Sequence, residues 1–550
     1  MFNNVKVSFF GTKSKYCYVS FKKFIMSKPD SHSKKFNNSK AAAKPKSKST
    51  ESLFANFTMW SSSNSGRFNP PLPSNYSLYG LYWQSVLQQN QLCDPFNTFL
   101  PQHQQISKLT SNAQHQIYHS SRVINRQCKD TRRNRSAGGK PRNCLNELTK
   151  VCELLCKRIW EPIYDDKGRN GDFTFTVMSY NVLAQDLIKE HPELYRMHDP
   201  NALRWNVRWR NLYNEIKVLS PDIMCLQEVQ NSHIGAYYDK LEALGYIGIY
   251  KKRTGCRVDG CAIFYKAHLF ALEEYETVEF FQPNVPILNR DNVGIIATFS
   301  PKRHPHKSFV IATTHLLYNP KREDVRLAQM QLLLTEVERL SFRYKFKLKN
   351  PYLPIILTGD LNSTPDSEVY SFLTKDSLNY EHLSNRSVIE ASSNKQKKFL
   401  VPPHLGITDD SQHFLLLEQR KTNRQISRSL EKALIQLHNS ERDVSVVSSE
   451  NLTKNFELFG SGSIKHKFSL KSVYAYNTEN PEGTTFQNRW LMVDYIFYSG
   501  NTLQDTSTSD LKLISRHRLP TRNELKGIKI PNSLMGSDHI SLMAKFLLKT

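Results

Sequence analysis

The chain reads as an α/β protein in which mixed sheets stack face to face as a sandwich, with helices on the outside. Three observations predict this. Short apolar strand signals recur from residue 173 to the C-terminal end. Helical periodicities separate only about half of them, too few crossovers for a doubly wound parallel sheet. The 550 residues suffice for a large core, yet only 39% are apolar, so part of the chain is expected to stay unpacked.

The elements follow in order. Residues 1–143 are basic and rich in Ser, Asn and Gln, the composition of a disordered region. Leu145, Leu148, Val151, Leu155 and Ile159 then recur at helical spacing, with Cys152 and Cys156 on or beside that face. Residues 173–183 (FTFTVMSYNVL) form a strand, and residues 205–219 a helix through Trp205, Trp209, Leu212, Ile216 and Leu219. Short apolar strands follow at 222–227, 261–265 and 309–314. Residues 322–340 have an acidic start and place Leu327, Met330, Leu334, Val337 and Leu340 at helical spacing. Strands at 354–358, 493–497 and 540–546 complete the series. Residues 391–465 are polar and poor in aromatics, and read as a flexible insertion in a domain spanning 144–550, with one helix-like piece at 426–437.

Charge is unevenly spread. The formal net charge is +25, but residues 1–170 carry 27 Lys+Arg and 9 Asp+Glu, a net of +18. The remaining residues carry only +7. The basic region is read as a solvated tail that tethers or targets the chain. Residues 1–29 hold no acid and several lysines, which partly fits a mitochondrial presequence, but arginine and an amphipathic stripe are missing. Tyr76 and Leu81-Tyr82 loosely resemble the Tyr-x4-Leu-apolar helix that docks on the cap-binding translation factor. No run approaches the roughly 18 apolar residues of a membrane span, so no membrane insertion is expected. Nine cysteines without a C-x-x-C pair argue against a disulfide framework or zinc ribbon, and for free thiols in a reducing compartment. The expected location is cytoplasmic, with the nucleus and mitochondrion left open.

The polar residues at strand ends are the informative feature. Asn181, Glu228, His315, Asp360, Asn362, Asp494, Asp538 and His539 lie in or at the ends of apolar strands. Burying any of them unpaired costs a few kcal/mol, so a shared cleft is the economical explanation. Carboxylates without a cysteine or multi-histidine cage suit a hard cation, Mg²⁺ or Mn²⁺. Such an ion neutralises phosphate oxygens, a histidine with a carboxylate partner handles a proton, and an Asp-x-Asn pair holds water and phosphate. These parts together suit metal-assisted phosphodiester hydrolysis. The chain carries neither a G-x-S-x-G elbow nor a P-loop.

The motifs Ser179-Tyr180-Asn181-Val182-Leu183, Leu226-Gln227-Glu228-Val229, Asp291-Asn292-Val293, Thr314-His315-Leu316, Gly359-Asp360-Leu361-Asn362, Val493-Asp494-Tyr495 and Ser537-Asp538-His539 occur in order. They resemble the exonuclease–endonuclease–phosphatase superfamily, in its deadenylase/nocturnin branch. The wording from Leu288 to Gly294 and from His315 to Pro320 is most similar to the Angel subgroup. The resemblance implies a four-layer α/β sandwich with the site at one end of the sheets. It implies Glu228 as principal Mg²⁺ ligand with Asn181 and Asp538 nearby, and Asp360 as the group that positions or deprotonates water. Asn362 would hold a phosphate oxygen, His315 would stabilise the phosphoryl group, and Asp494 with His539 would complete the acid–base apparatus. Asn292, Asn319, Pro320 and Trp490 are the implied substrate contacts. Where the deadenylases stack a base on phenylalanine this chain has Arg489, which puts adenine selectivity in doubt. The implied activity is Mg²⁺-dependent hydrolysis at RNA 3′ ends, as a 3′–5′ exoribonuclease or a 2′,3′-cyclic phosphatase. The alternatives are a non-catalytic RNA-binding adaptor and a phosphatase for a soluble nucleotide or phosphoinositide. Oligomeric state is not legible.

Overall fold

The computed structural model describes residues 142–163, 171–344, 351–383, 399–422, 425–440, 458–487, 489–499 and 510–549. The basic region up to residue 141, with its presequence-like start and its Tyr76 motif, lies outside the described residues. So do 391–398 and 441–457 of the insertion.

Two mixed sheets form the centre. The first has seven strands in the order β1 (Trp160–Pro162), β16 (Leu511–His517), β17 (Leu542–Leu548), β2 (Phe173–Asn181), β3 (Ile223–Gln227), β5 (Gly260–Lys266) and β4 (Tyr246–Lys252). The second has six: β12 (Leu470–Ser472), β15 (Asp494–Ser499), β9 (Ile355–Asp360), β8 (Phe309–His315), β7 (Val293–Pro301) and β6 (Phe270–Glu279). Each sheet contains one parallel pair, β2 with β3 and β8 with β9, among antiparallel neighbours. The sheets meet face to face, with β2 and β3 against β9 and β8, and β17 against β15. Phe175 and Phe309 fill that interface with ring centroids 4.8 Å apart.

Alternation along β2 explains the layering. Phe175 faces the second sheet, whereas Met178 and Tyr180 point outward onto helix α3 (Trp205–Leu219). Leu212 and Ile216 of α3 are fully buried there, each stabilising the layer by about 1.5–3 kcal/mol. Ser220 stops the helix in a left-handed conformation (φ 42°) and caps Ile216 O. On the far side, α4 (Glu323–Ser341) covers β7 and β8. Two sheets between two helical layers make the sandwich expected from the residues.

The differences are local. Helix α1 (Arg142–Lys157) stops two residues before Ile159, which is left 60% exposed. Strands β4, β6, β7 and β16 do not figure among the expected strands. β6 is an edge strand of largely half-buried residues with interspersed glutamates, so its polar side hides the alternation. Within 391–465 the described residues hold α6 (Phe414–Lys421), α7 (Arg428–Ser440) and β11 (Ser463–Lys465), the last paired with β10 (Ser377–Asn379) next to α5 (Glu368–Lys375). These helices dock on α4 through charges. Arg420 meets Glu338 at 2.5 Å, His413 meets Glu336 at 2.6 Å, and Arg428 donates to the C-terminal carbonyls of Arg339 and Leu340. That is why Gln331, Glu338 and Arg339 of α4 are buried although polar. Apolar periodicity cannot register a contact built from ion pairs.

Candidate active site

The site lies at the carboxyl ends of the two parallel pairs, where open α/β sheets place their ligands. In the first sheet Asn181 ends β2 opposite Gln227, and Glu228 follows directly. In the second His315 and Asp360 are register partners at the ends of β8 and β9, and antiparallel β15 sets Asp494 opposite Asp360. Gly359 permits this closeness. A Cβ there would meet Thr314 O at 2.1 Å, and its φ of 147° suits glycine. Asp538 and His539 sit just before β17, the antiparallel neighbour of β2. Leu183, Glu228 and Asn362 all adopt positive φ (54°, 58° and 49°), a strain of about 1–3 kcal/mol each that is stored around the cleft.

Hydrogen bonds join the two halves. Asn181 Nδ2 donates to Glu228 Oε1 at 2.8 Å and to Asp360 Oδ2 at 3.0 Å, while its Oδ1 accepts from Leu183 N. Glu228 Oε2 accepts from Ala184 N at 3.0 Å. Asp360 Oδ1 accepts from Asn362 N, and Asn362 Nδ2 lies 3.0 Å from His315 Nε2 and donates to Leu316 O. His315 Nε2 is 3.5 Å from Asp360, and its Nδ1 is 4.0 Å from Glu228. His539 Nδ1 pairs with Asp494 Oδ2 at 2.8 Å, and its Nε2 lies 3.7 Å from Asp360 Oδ2. The structure thus brings all the expected catalytic and metal-side residues into one cluster.

Electrostatics divide the cluster. Burial raises the pKa of Glu228; His315 opposes the rise, and nearby Asp538 and Asp259 add to it. Burial likewise raises Asp494, against the pull of His539. Burial works against charge on His539, but Asp494, with Asp360 and Asp538 behind it, holds its imidazolium well above the usual histidine range. Among the described residues, Asp360, Asp494 and His539 place ligand-competent atoms within 4.8 Å of one another, and Asp494 Oδ1 has no hydrogen-bond partner. A metal ion fits these donors. Carboxylates converging at a buried point repel until a cation joins them, and oxygen donors suit a hard one. His539 Nδ1 is committed to Asp494, and both carboxylate oxygens of Glu228 and of Asp360 already accept hydrogen bonds within the cluster.

The expected substrate contacts fare unequally. Asn319 and Pro320 are exposed beyond His315. Asn292 is buried, donating to His315 O at 2.9 Å and accepting from Gln329 at 3.2 Å, so it holds the His315 strand end. Trp490, on the hairpin of β13 (Thr485–Gln487) and β14 (Arg489–Leu491), is buried and donates to Leu525 O. The exposed ring of that hairpin is Phe486, its register partner. Arg208, Gln329 and Tyr195 escaped the sequence reading. Arg208 is fully buried and donates to Val182 O, Leu183 O and Gly536 O, tying the Asn181 and Asp538 segments together. Its signal was a charge on the apolar stripe between Trp205 and Leu212.

Residues 178–539 match the endonuclease/exonuclease/phosphatase family model. The chain is 36% identical to human protein angel homolog 2 over 464 residues, covering 79% of this chain and 80% of that protein. It is 33% identical to protein angel of Drosophila melanogaster over 440 residues, covering 78% and 96%. The crystal structure of ANGEL2, a 2′,3′-cyclic phosphatase, in complex with adenosine-2′,3′-vanadate is similar at 37% identity and a TM-score of 0.55, covering 72% of this chain and 99% of that one. The chain therefore belongs to the endonuclease/exonuclease/phosphatase family, in its Angel branch.

Proposed function

We propose that this protein hydrolyses terminal 2′,3′-cyclic phosphates at RNA 3′ ends, with Mg²⁺ as cofactor. The observation that carries the reading is the Asn181 bridge, which couples a carboxylate half to an imidazole half at one point in the cleft. The relative described as a 2′,3′-cyclic phosphatase supports the substrate. Glu228 and Asp538 would hold the metal ion, whose chemistry would be to neutralise charge on the phosphate and on the leaving oxygen. Asp360 orients and deprotonates the attacking water. Imidazolium at His539, kept by Asp494, faces the phosphoryl oxygens, and His315 flanks them from the other sheet. A P–O bond to water forms as one ester P–O bond to the ribose breaks, and the departing oxygen takes a proton.

The grip on RNA falls to exposed groups at the rim. Tyr318 reaches across to Gln487 Oε1 at 3.4 Å, so the Tyr318–Asn319–Pro320 loop and the Phe486 hairpin border the same cleft. Purified protein with Mg²⁺ should be assayed on RNAs ending in a cyclic phosphate, a 3′-hydroxyl poly(A) tail or a mixed sequence. Cyclic phosphate opening is expected. Trimming of 3′-hydroxyl ends alone would reassign the activity to exonuclease, and tight binding without turnover on any RNA would make the chain an adaptor. The free thiols at Cys225 and Cys261 support a reducing compartment, the cytoplasm foremost. Imaging the chain with and without residues 1–29 tests that.

A further inference from the structure

We infer that Tyr195 is a positioning residue that sets the orientation of the Asp538 carboxylate, and through it the affinity for the metal ion. This rests on the metal reading above. Asp538 differs from Glu228 in its support. Glu228 accepts from a backbone N–H and from Asn181, whereas Asp538 sits half-buried on a loop before β17. Tyr195 supplies what the loop lacks. Its hydroxyl donates to Asp538 Oδ2 at 2.7 Å, from a ring only 8% exposed. One carboxylate oxygen is thereby committed, and the other, Oδ1, stays on the side of Ser537, whose hydroxyl donates to Asn181 O at 2.6 Å.

The tyrosine is itself anchored. Its ring packs on His198 with centroids 5.4 Å apart, and His198 Nε2 lies 3.0 Å from Ile530 O in the segment leading to Asp538. Arg208 secures the same segment through Gly536 O at 2.8 Å. A rigid phenol that reads one oxygen of a ligand carboxylate is an outer-sphere partner, and losing such a partner costs about 10–100-fold in metal affinity. Phenylalanine keeps the ring packing and removes only the donor.

The test is a Mn²⁺ titration of the full chain, read from the electron paramagnetic resonance of free Mn²⁺. Tyr195→Phe should bind Mn²⁺ about ten-fold more weakly, with the metal-free unfolding midpoint unchanged. The Mg²⁺ concentration giving half-maximal turnover should rise by the same factor. In Asp538→Asn the added Tyr195→Phe change should have no further effect on Mn²⁺ affinity, because both act through one carboxylate. Equal Mn²⁺ affinity in wild type and Tyr195→Phe, or fully additive losses in the double variant, overturns the inference. A wild type that binds no Mn²⁺ overturns the metal reading itself, so the two failures are told apart.

Discussion

The two parallel strand pairs follow one rule and yield different chemistry. β2 with β3 delivers Asn181 and Glu228; β8 with β9 delivers His315 and Asp360 in register. The backbone solution is the same in each case, a parallel pair whose carboxyl ends open into the cleft between the sheets. The first pair presents oxygen and amide groups that suit a cation. The second, completed by Asp494 and His539, presents imidazoles and carboxylates that suit water and protons. Among the described residues the only side chain hydrogen-bonded to a carboxylate of each pair is Asn181. The sandwich is what places them within hydrogen-bond reach.

Breaking the oxygen half should have the largest effect on turnover. Glu228→Ala should lower kcat by about 10³-fold or more and abolish Mn²⁺ binding, while the thermal unfolding midpoint stays near wild type. An active variant with unchanged Mg²⁺ dependence would show that the first pair is not the metal half.

Breaking the imidazole half comes next. Asp494→Asn should cost about 10²–10⁴-fold in kcat, because His539 loses the partner that holds its charge. The same contact predicts a pH signature. His539 is raised in the folded state, so its stabilisation is complete below its unfolded value of about 6.5 and is lost as pH rises through the raised folded value. Unfolding midpoints of wild type should fall across that alkaline window, and Asp494→Asn should flatten the fall. An identical pH profile in both proteins would remove the pair from this account.

The rim should matter less. Phe486→Ala is expected to raise KM for RNA about ten-fold, the scale of one lost base stack, with kcat little changed. Equal KM values would mean that substrate does not reach the hairpin. The smallest effect on turnover is expected at the back of α4. Glu338→Ala strips the insertion of its partner for Arg420, a nearly buried pair, and should destabilise the fold by about 3 kcal/mol. Turnover per folded molecule should be unchanged. Coupled loss of activity would show that the insertion reaches through α4 to the His315 loop, which Arg326 and Gln329 hold from the other end of the same helix.

Much of this was legible because apolar patterning and exceptions to it both carry information. The periodicities of α3 and α4 and the strands ending at Asn181, Glu228, His315 and Asp360 could be read directly, since a polar residue at the end of a buried strand is costly unless it is used. Other features left no such mark. Trp490 looked like a substrate contact beside Arg489, yet it is buried and donates to Leu525 O, and its register partner Phe486, on the same face of the hairpin, carries the exposure. The 391–465 segment looked like a loop because its docking on α4 runs through Arg420, Arg428 and His413.

The sequence by itself determined the fold class and the order of the polar residues at the strand ends, because these follow from local periodicity and from the chemistry of single side chains. Only the tertiary structure decided which groups meet. That Tyr195 holds Asp538 across 343 positions, that Arg208 ties the Asn181 segment to Gly536, and that Asn181 bridges Glu228 to Asp360 depend on sheet register and on the stacking of two sheets. Those are long-range geometric facts, and no local pattern encodes a distance.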